Sequence, residues 1–166
     1  MKLRPTSTQA QTSVNLAFDI ETNGIDSTYI HCVVTQNLDT GEVIEYNDQA
    51  SKNYSVVNAV CDLETADNII SHNGIMFDVP EIKKHFPFWE GKAKHWDTLI
   101  LSRFFHPNLL DIDLRRKWHK MPARLYGSHS LEAYGYRLQC YKDDFGKTTD
   151  WTDWSQEMQD YCKQDV

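Results

Sequence analysis

The length, composition and charge of this sequence favour one soluble domain and exclude several classes of protein. Its 166 residues are 40% hydrophobic and 25% charged, which is ordinary for a globular domain with one core. No apolar run is long enough to cross a bilayer, and residues 1–13 lack the apolar segment of a secretory signal. The net charge of −7 argues against a protein that binds along duplex DNA, but it permits an acidic metal site.

The first half of the chain contains the predicted strands. Val14–Ile20 is an apolar run that ends in acids, and it is predicted to be a buried strand. Tyr29–Thr35 and Glu42–Tyr46 are two further strand-like runs, and Asn37–Gly41 between them has the turn residues of a hairpin. Ile69–His72 is predicted to be a short fourth strand.

Five helices are predicted between and after these strands. They extend from Ser55 to about Glu64, over Pro80–Phe86, over Thr98–Phe105, over Leu131–Leu138, and from near Ser155 to the end. Ser55, Asp97 and Ser128 are the predicted capping residues. The apolar pattern of the third helix favours a core position for Phe104 and Phe105. This order of elements predicts an α/β fold, with one mixed sheet flanked by helices.

The cysteines and the chain boundaries indicate a simple organisation. The four cysteines are Cys32, Cys61, Cys140 and Cys162. They form no C-x-x-C pair and no zinc-like spacing with histidine, so free thiols in a reducing cytoplasm are predicted. Residues 1–13 are predicted to be a flexible polar leader, and residues 14–166 one domain that ends at its last motif.

Asp19 and Glu21 are the first candidates for a metal site. They lie two residues apart on the first predicted strand, so both carboxylates point to the same face. Like charges this close are unfavourable unless a cation lies between them, and a divalent ion with oxygen ligands meets that need. Taken alone, the pair also fits a strand that ends in solvent-exposed acids.

Two more acids lie in motifs that are weak individually. Asp78 ends the segment S-H-N-G-I-M-F-D, in which a predicted strand runs into a glycine-containing turn; the same segment also fits the start of a helix. Tyr161 and Asp165 are four residues apart on the last predicted helix and share one face. A phenol beside a carboxylate can hold a water molecule on a metal ion, but this spacing alone also occurs often by chance.

Together the three motifs resemble the DEDD exonuclease superfamily in its tyrosine subclass, whose members have a ribonuclease-H-like fold. Other segments, such as W-D-T-L-I-L-S-R-F-F-H-P-N-L and L-Y-G-S-H-S-L-E-A-Y-G-Y-R-L, are similar to the exonuclease domain of T-seven-like phage DNA polymerases of family A. The resemblance covers residues 14–166. Many relatives have an asparagine where this sequence has Gly74, but the phage group shares its H-N-G arrangement.

The resemblance implies an activity and roles for the motif residues. The activity is proofreading 3′→5′ hydrolysis of single-stranded or frayed DNA, which releases nucleoside monophosphates. Its implied cofactors are two Mg²⁺ ions, for which Mn²⁺ can substitute. Asp19 would bridge the ions, Glu21 and Asp165 would complete the first site, and Asp78 would act at the second. Tyr161 would orient the attacking water. The implied partners are a DNA 3′ end and a polymerase domain in the same or a companion chain, without a membrane. A monomer in the host cytoplasm is expected.

Substrate contacts are also implied beside these motifs. The implied positions are Thr22, Ile25, His72, Asn73, Arg115, Arg116 and Lys117. Ile25 matches a position where the family places an apolar side chain against the terminal base, although a core position is equally compatible with its sequence. His72 and Asn73 fit either a contact with the strand or a role in shaping the turn. Stacking on bases is the alternative to a core position for Phe104 and Phe105.

A basic run interrupts this acidic sequence. From Arg115 to Arg124 there are five lysines and arginines and no acid. The run is predicted to be a loop that contacts the substrate strand, with Trp118 inside it; a solvated loop is the alternative.

Two other functions remain compatible with the sequence. An RNA-directed exonuclease of the same superfamily would share the acids. A catalytically weak binding or structural fragment is suggested by Asp165, because only Val166 follows it and terminal turns fray. The presence of all four acids and Tyr161 favours an enzyme.

Overall fold

A five-stranded mixed sheet forms the centre of the computed structural model. The structure describes residues 13–49, 54–116, 118, 120–141 and 149–166. The strands are β1 (Asn15–Thr22), β2 (Ile30–Asn37), β3 (Val43–Asn47), β4 (Asn68–Ser71) and β5 (Lys94–Asp97). Their order is β3-β2-β1-β4-β5. β2 is antiparallel to β1 and β3, whereas β4 is parallel to β1 and β5. The predicted α/β fold with a mixed sheet is therefore confirmed. Residues 1–12 of the predicted leader at 1–13 lie outside the described residues.

Helices flank this sheet. They are α1 (Val56–Thr65), α2 (Asp78–His85), α3 (Thr98–Phe105), α4 (Leu109–Arg116), α5 (Leu131–Leu138) and α6 (Gln156–Asp165). The side chains of Ser55 and Asp97 cap α1 and α3 as predicted. The predicted cap at Ser128 is wrong, because Ser130 accepts the hydrogen bond from the Ala133 N–H at the start of α5. No helix in the described ranges has the length and apolar composition needed to span a bilayer.

The alternation of β1 divides the molecule into a core face and a site face. Leu16, Phe18 and Ile20 are buried in the main core, which also contains the apolar side of α1. Asp19 and Glu21 occupy the alternate, half-buried positions. A second apolar cluster joins β2 to α6. The helix that contains Tyr161 and Asp165 is therefore packed on the face of the sheet that the two acids share.

Phe104 and Phe105 are not core residues. Their side chains are 75% and 66% exposed, and α3 has no buried residue. The prediction of a core position is therefore wrong for both phenylalanines. An apolar pattern indicates which side of a helix can be covered, but the covering element depends on the tertiary fold.

Candidate active site

Asp19 and Glu21 begin the site on the outer half of β1. In the antiparallel register, Asp19 lies opposite Val34 and Glu21 lies opposite Cys32. The Cys162 thiol of α6 donates to the Asp19 carbonyl at 3.4 Å. One carboxylate oxygen each of Asp19 and Glu21 and the Cys162 sulfur all lie within 4.8 Å of one another. The packing of α6 on β2 thus brings the acids of β1 beside the last helix.

Asp78 enters the site through a tight turn between β4 and α2. Asn73 adopts a left-handed conformation with φ of 68°, which asparagine tolerates better than most residues. Gly74 follows where no side chain fits, since a Cβ there would lie 1.9 Å from Ser71 Oγ and 3.1 Å from Asp78 Oδ2. The turn then leads directly into Asp78, the first residue of α2. This close approach explains why glycine occupies position 74.

The electrostatic environment of Asp78 shows an excess of negative charge. Burial and, to a smaller extent, the neighbouring carboxylates of Asp97 and Asp165 raise the pKa of Asp78 to about 7. These causes outweigh the backbone hydrogen bonds that favour its ionised form. A cation at this position would relieve the repulsion between the carboxylates.

All five predicted catalytic residues line one open pocket of about 300 Å³. Its lining residues are Asp19, Ile20, Glu21, His72, Asn73, Phe77, Asp78, Trp151, Tyr161 and Asp165. The pocket lies over the second half of β1 and the residues that follow β4, near the carboxyl ends of these parallel strands, where open α/β sheets commonly place their sites. His72 and Asn73, two of the predicted substrate contacts, are in the same pocket. Trp151 was not identified from the sequence, because no motif includes it.

Two other predicted substrate contacts, Thr22 at the end of β1 and Ile25 in the loop that follows, differ in their exposure. Thr22 is buried, and its hydroxyl donates to the Gly24 carbonyl at 2.8 Å, so it shapes the loop. It is absent from the lining of the acidic pocket. Ile25 is 91% exposed, and the alternative that it belongs to the core is therefore wrong. Its exposed position leaves the predicted contact with a terminal base open.

The basic run is only partly a loop. Arg115 and Arg116 are exposed at the end of α4, a helix that the sequence did not reveal. Trp118 is half-buried against a small apolar cluster, and its indole N–H donates to Asp113 Oδ1 at 2.7 Å. These contacts give Trp118 a packing role, and its predicted contact with the substrate strand stays a prediction. Lys117 lies outside the described residues.

Asp97 supports the site from behind and was predicted only as a helix cap. Its carboxylate accepts hydrogen bonds from the backbone N–H groups of Leu99 and Ile100 at the start of α3. It also accepts from those of Asn73 and Ile75, both at 3.1 Å. Burial opposes ionisation, but these four bonds lower the pKa of Asp97 below its ordinary value. One ionised side chain therefore joins α3 to the turn that precedes Asp78.

Replacing Asp97 by asparagine is expected to lower the free energy of unfolding by about 1–3 kcal/mol, because an amide lacks the second acceptor oxygen and leaves a buried donor unpaired. Asparagine is itself a good helix cap, so the loss should be confined to the turn at Asn73–Ile75. Urea unfolding measures the change. The matched control is Asp67→Asn, whose exposed carboxylate accepts one hydrogen bond within the described part of the chain, from Val14 N–H. Equal changes for the two variants would contradict this role of Asp97.

The donor set fits a hard divalent cation. Carboxylate oxygens are the preferred ligands of such ions, and Asp19, Glu21, Asp78 and Asp165 meet at the pocket. Burial, a hydrogen bond with Cys32 and the nearby acids raise the pKa of the Cys162 thiol well above its ordinary value. This shift disfavours the thiolate, which is the form of cysteine that binds a metal ion. Oxygen is the ligand type that this site offers.

The fold and the acid cluster together define a ribonuclease-H-like α/β domain. A model of the RNase_H superfamily matches residues 16–166, and the chain belongs to that superfamily. The DNA-directed DNA polymerases of Escherichia phage T7 and Enterobacteria phage T3 are 33% and 34% identical to it, over 89% and 91% of this chain. The chain spans only 24% and 25% of the length of these two relatives.

Solved structures show the same fold at low sequence identity. Brucella melitensis NrnC bound to pGG superimposes with a TM-score of 0.58 at 19% identity, over 93% of this chain and 67% of NrnC. The Aedes aegypti Nibbler EXO domain has a TM-score of 0.59 at 11% identity, over 93% of this chain and 73% of that domain. These likenesses show that nearly the whole chain shares its fold with both structures.

Proposed function

We propose that this chain is a metal-dependent 3′→5′ exonuclease that removes nucleotides from a single-stranded or frayed DNA end. The observation that carries the proposal is the meeting of four carboxylates and the Tyr161 phenol in one open pocket. The two phage DNA polymerases among its relatives support DNA as the substrate. They also support a proofreading role beside a polymerase domain, in the same or a companion chain.

The residues of the pocket divide the work of hydrolysis. Asp19, Glu21 and Asp165 would hold one divalent ion, and Asp19 and Asp78 a second, with Mg²⁺ as the physiological ion and Mn²⁺ as a substitute. Such a pair of ions activates water and neutralises charge on the phosphate and the leaving oxygen. The Tyr161 hydroxyl would hold the attacking water in line with the scissile bond, which requires orientation rather than ionisation of the phenol.

The test is hydrolysis of matched DNA and RNA oligonucleotides that carry a label at the 5′ end. With Mg²⁺ present, DNA should shorten stepwise from its 3′ end, and a chelator should stop the reaction. Faster degradation of RNA would overturn the assignment of DNA and favour the RNA-directed alternative. If circular dichroism showed a folded protein that degraded neither substrate with Mg²⁺ or Mn²⁺, the chain would instead be a binding or structural domain.

The end of α4 offers positive charge for the phosphates of the strand. Arg115 donates from Nε to the Asp111 carbonyl at 3.0 Å, and the Arg116 guanidinium lies 5.2 Å from the centre of the Trp118 ring. Both side chains remain exposed. By contrast, Arg124 pairs with Glu132 at 2.7 Å. The end of α4 is therefore the better candidate for a contact with the strand.

Replacing Arg115, Arg116 and Lys117 together by glutamine should weaken binding of single-stranded DNA and flatten its salt dependence. Three lost phosphate contacts correspond to a decrease of about 2 in the slope of log K against log salt. Fluorescence anisotropy with a labelled oligonucleotide across a salt series measures the slope. Arg124→Gln is the control and should change it little. A slope in the triple variant equal to that of the parent would return this run to a solvated surface.

A further inference from the structure

Two side chains at the start of β2 hold the segment that precedes α6. The Tyr29 hydroxyl donates to the Thr152 carbonyl at 2.8 Å, and the His31 Nε2–H donates to the Trp151 carbonyl at 2.8 Å. The two rings pack edge to face, with centroids 4.6 Å apart. We call Tyr29 and His31 the β2 clamp. Its two bonds fix consecutive carbonyls, and therefore the path of the chain at Trp151.

His31 is buried without any part in the acid cluster. It is 2% exposed, and its Nδ1 has no hydrogen-bond partner among the described residues. Burial of an unpaired polar atom is costly. An apolar residue at position 31 would pack without that cost, but it could not donate a hydrogen bond to the Trp151 carbonyl. The arrangement indicates that the placement of Trp151 matters.

Trp151 connects the β2 clamp to the proposed active site. Its side chain lines the acidic pocket, and its ring packs edge to face against Tyr161, with centroids 6.1 Å apart at an angle of 71°. Tyr161 projects from α6, which packs on β2 and β1. The direction of the Tyr161 ring is therefore constrained by its own helix and by the indole of Trp151, whose backbone the β2 clamp holds.

We infer that Tyr29, His31 and Trp151 are positioning residues that orient the Tyr161 hydroxyl for hydrolysis, an inference that rests on the proposed exonuclease function. Orientation of the attacking water depends on the angle of the phenol ring. A displacement of about 1 Å at a reacting centre can cost about 100-fold in rate. The effect should appear in kcat, because these residues act through Tyr161.

A double-mutant cycle tests whether Trp151 acts through Tyr161. Trp151→Ala should lower kcat on single-stranded DNA by about tenfold in the parent, with KM nearly unchanged, since misplacement of a water affects the reaction rather than binding. In the Tyr161→Phe background, the same substitution should have little further effect. An equal loss in both backgrounds, or a loss mainly in KM, would show that Trp151 contacts the substrate itself, and the inference would fail.

The β2 clamp is tested by removing its donors. His31→Leu removes the bond to the Trp151 carbonyl and should lower kcat. His31→Gln keeps an N–H donor and should retain most of the parent's kcat. Tyr29→Phe loses only a hydroxyl from a side chain that is 41% exposed, so it should fold and should still lower kcat. Trp154→Phe is the matched control, because Trp154 packs in the cluster beneath α6. If His31→Leu fails to fold, Tyr29→Phe remains a sufficient test, and an unchanged kcat in that variant overturns the inference.

A measurement without substrate separates this inference from the proposed function. Fluorotyrosine incorporation gives a ¹⁹F resonance for Tyr161, assigned by its disappearance in Tyr161→Phe. The resonance should shift in Trp151→Ala and Tyr29→Phe but not in Trp154→Phe. A resonance that ignores the first two variants overturns the inference even in an active enzyme. If the two variants show these shifts but the parent protein degrades no DNA, the proposed function is refuted and the positioning geometry stands.

Discussion

Replacing Asp19 by asparagine is expected to abolish hydrolysis of single-stranded DNA while leaving the fold intact. The amide has nearly the shape of the carboxylate but lacks its charge, and Asp19 is the proposed shared ligand of two ions. A loss of about 10³-fold or more is expected, equivalent to ~4 kcal/mol of transition-state stabilisation. Initial rates at saturating Mg²⁺ measure it. Activity within about tenfold of the parent, or ~1.4 kcal/mol, would contradict the two-ion site.

The same variant should respond differently to metal in thermal unfolding. Without Mg²⁺, Asp19→Asn should be at least as stable as the parent, because one of several mutually repelling carboxylates is gone. Mg²⁺ should then stabilise the parent more than the variant, since only binding to the native state raises stability. Asp39→Asn, in the hairpin turn after β2, is the control and should match the parent in both rate and response to metal.

Replacing Asp113 by alanine is expected to lower the free energy of unfolding by about 3–5 kcal/mol, the usual cost of leaving a buried charge unpaired. Asp113 is fully buried and accepts from Arg137 Nη2 at 2.6 Å and Nε at 3.0 Å. It also accepts from Trp118 Nε1 and the Gly127 N–H. One carboxylate thus joins α4 to α5. Urea unfolding measures the loss, and Arg124→Ala, which breaks an exposed pair, should cost at most about 1 kcal/mol.

The acid dependence of stability gives a second readout for Asp113. Burial opposes its ionisation, but the bonds from Arg137, Gly127 and Trp118 lower its pKa below the ordinary value. A carboxylate whose pKa is lowered in the folded state stabilises the protein at any pH above its unfolded pKa of about 4. That stabilisation is lost as the pH falls through the folded-state pKa. The parent should therefore lose stability more steeply than Asp113→Ala in acid. Parallel pH profiles for the two proteins would show that the ion pair contributes little.

Local signals predicted those parts of the fold that depend on local chemistry. The alternation of β1, the turn residues of the β2–β3 hairpin and the caps at Ser55 and Asp97 each act within a few residues. The convergence of four acids and Tyr161 was predicted because their motif order resembles a known superfamily. Their individual roles in hydrolysis stay predictions until the variants are measured.

The remaining features arise from contacts between distant segments. β5 has only four residues, and α4 ends in the basic run that was interpreted as a loop, so neither was predicted. The buried pair of Asp113 and Arg137 joins residues that are 24 positions apart. Trp151 reaches the pocket through its contacts with β2. No local pattern indicates such pairings, because each depends on how complete elements pack.

The positions of the cysteines make the docking of α6 measurable by chemical labelling. Cys61 and Cys140 are exposed, whereas Cys162 is enclosed between α6 and the sheet. An alkylating reagent should modify the two exposed thiols at once, and Cys162 and its neighbour Cys32 only when the helix lifts away. The labelling rate of Cys162 therefore reports the free energy of that local opening. Each such opening also removes Tyr161 and Asp165 from the pocket, so the labelling of Cys162 reports how often the site comes apart.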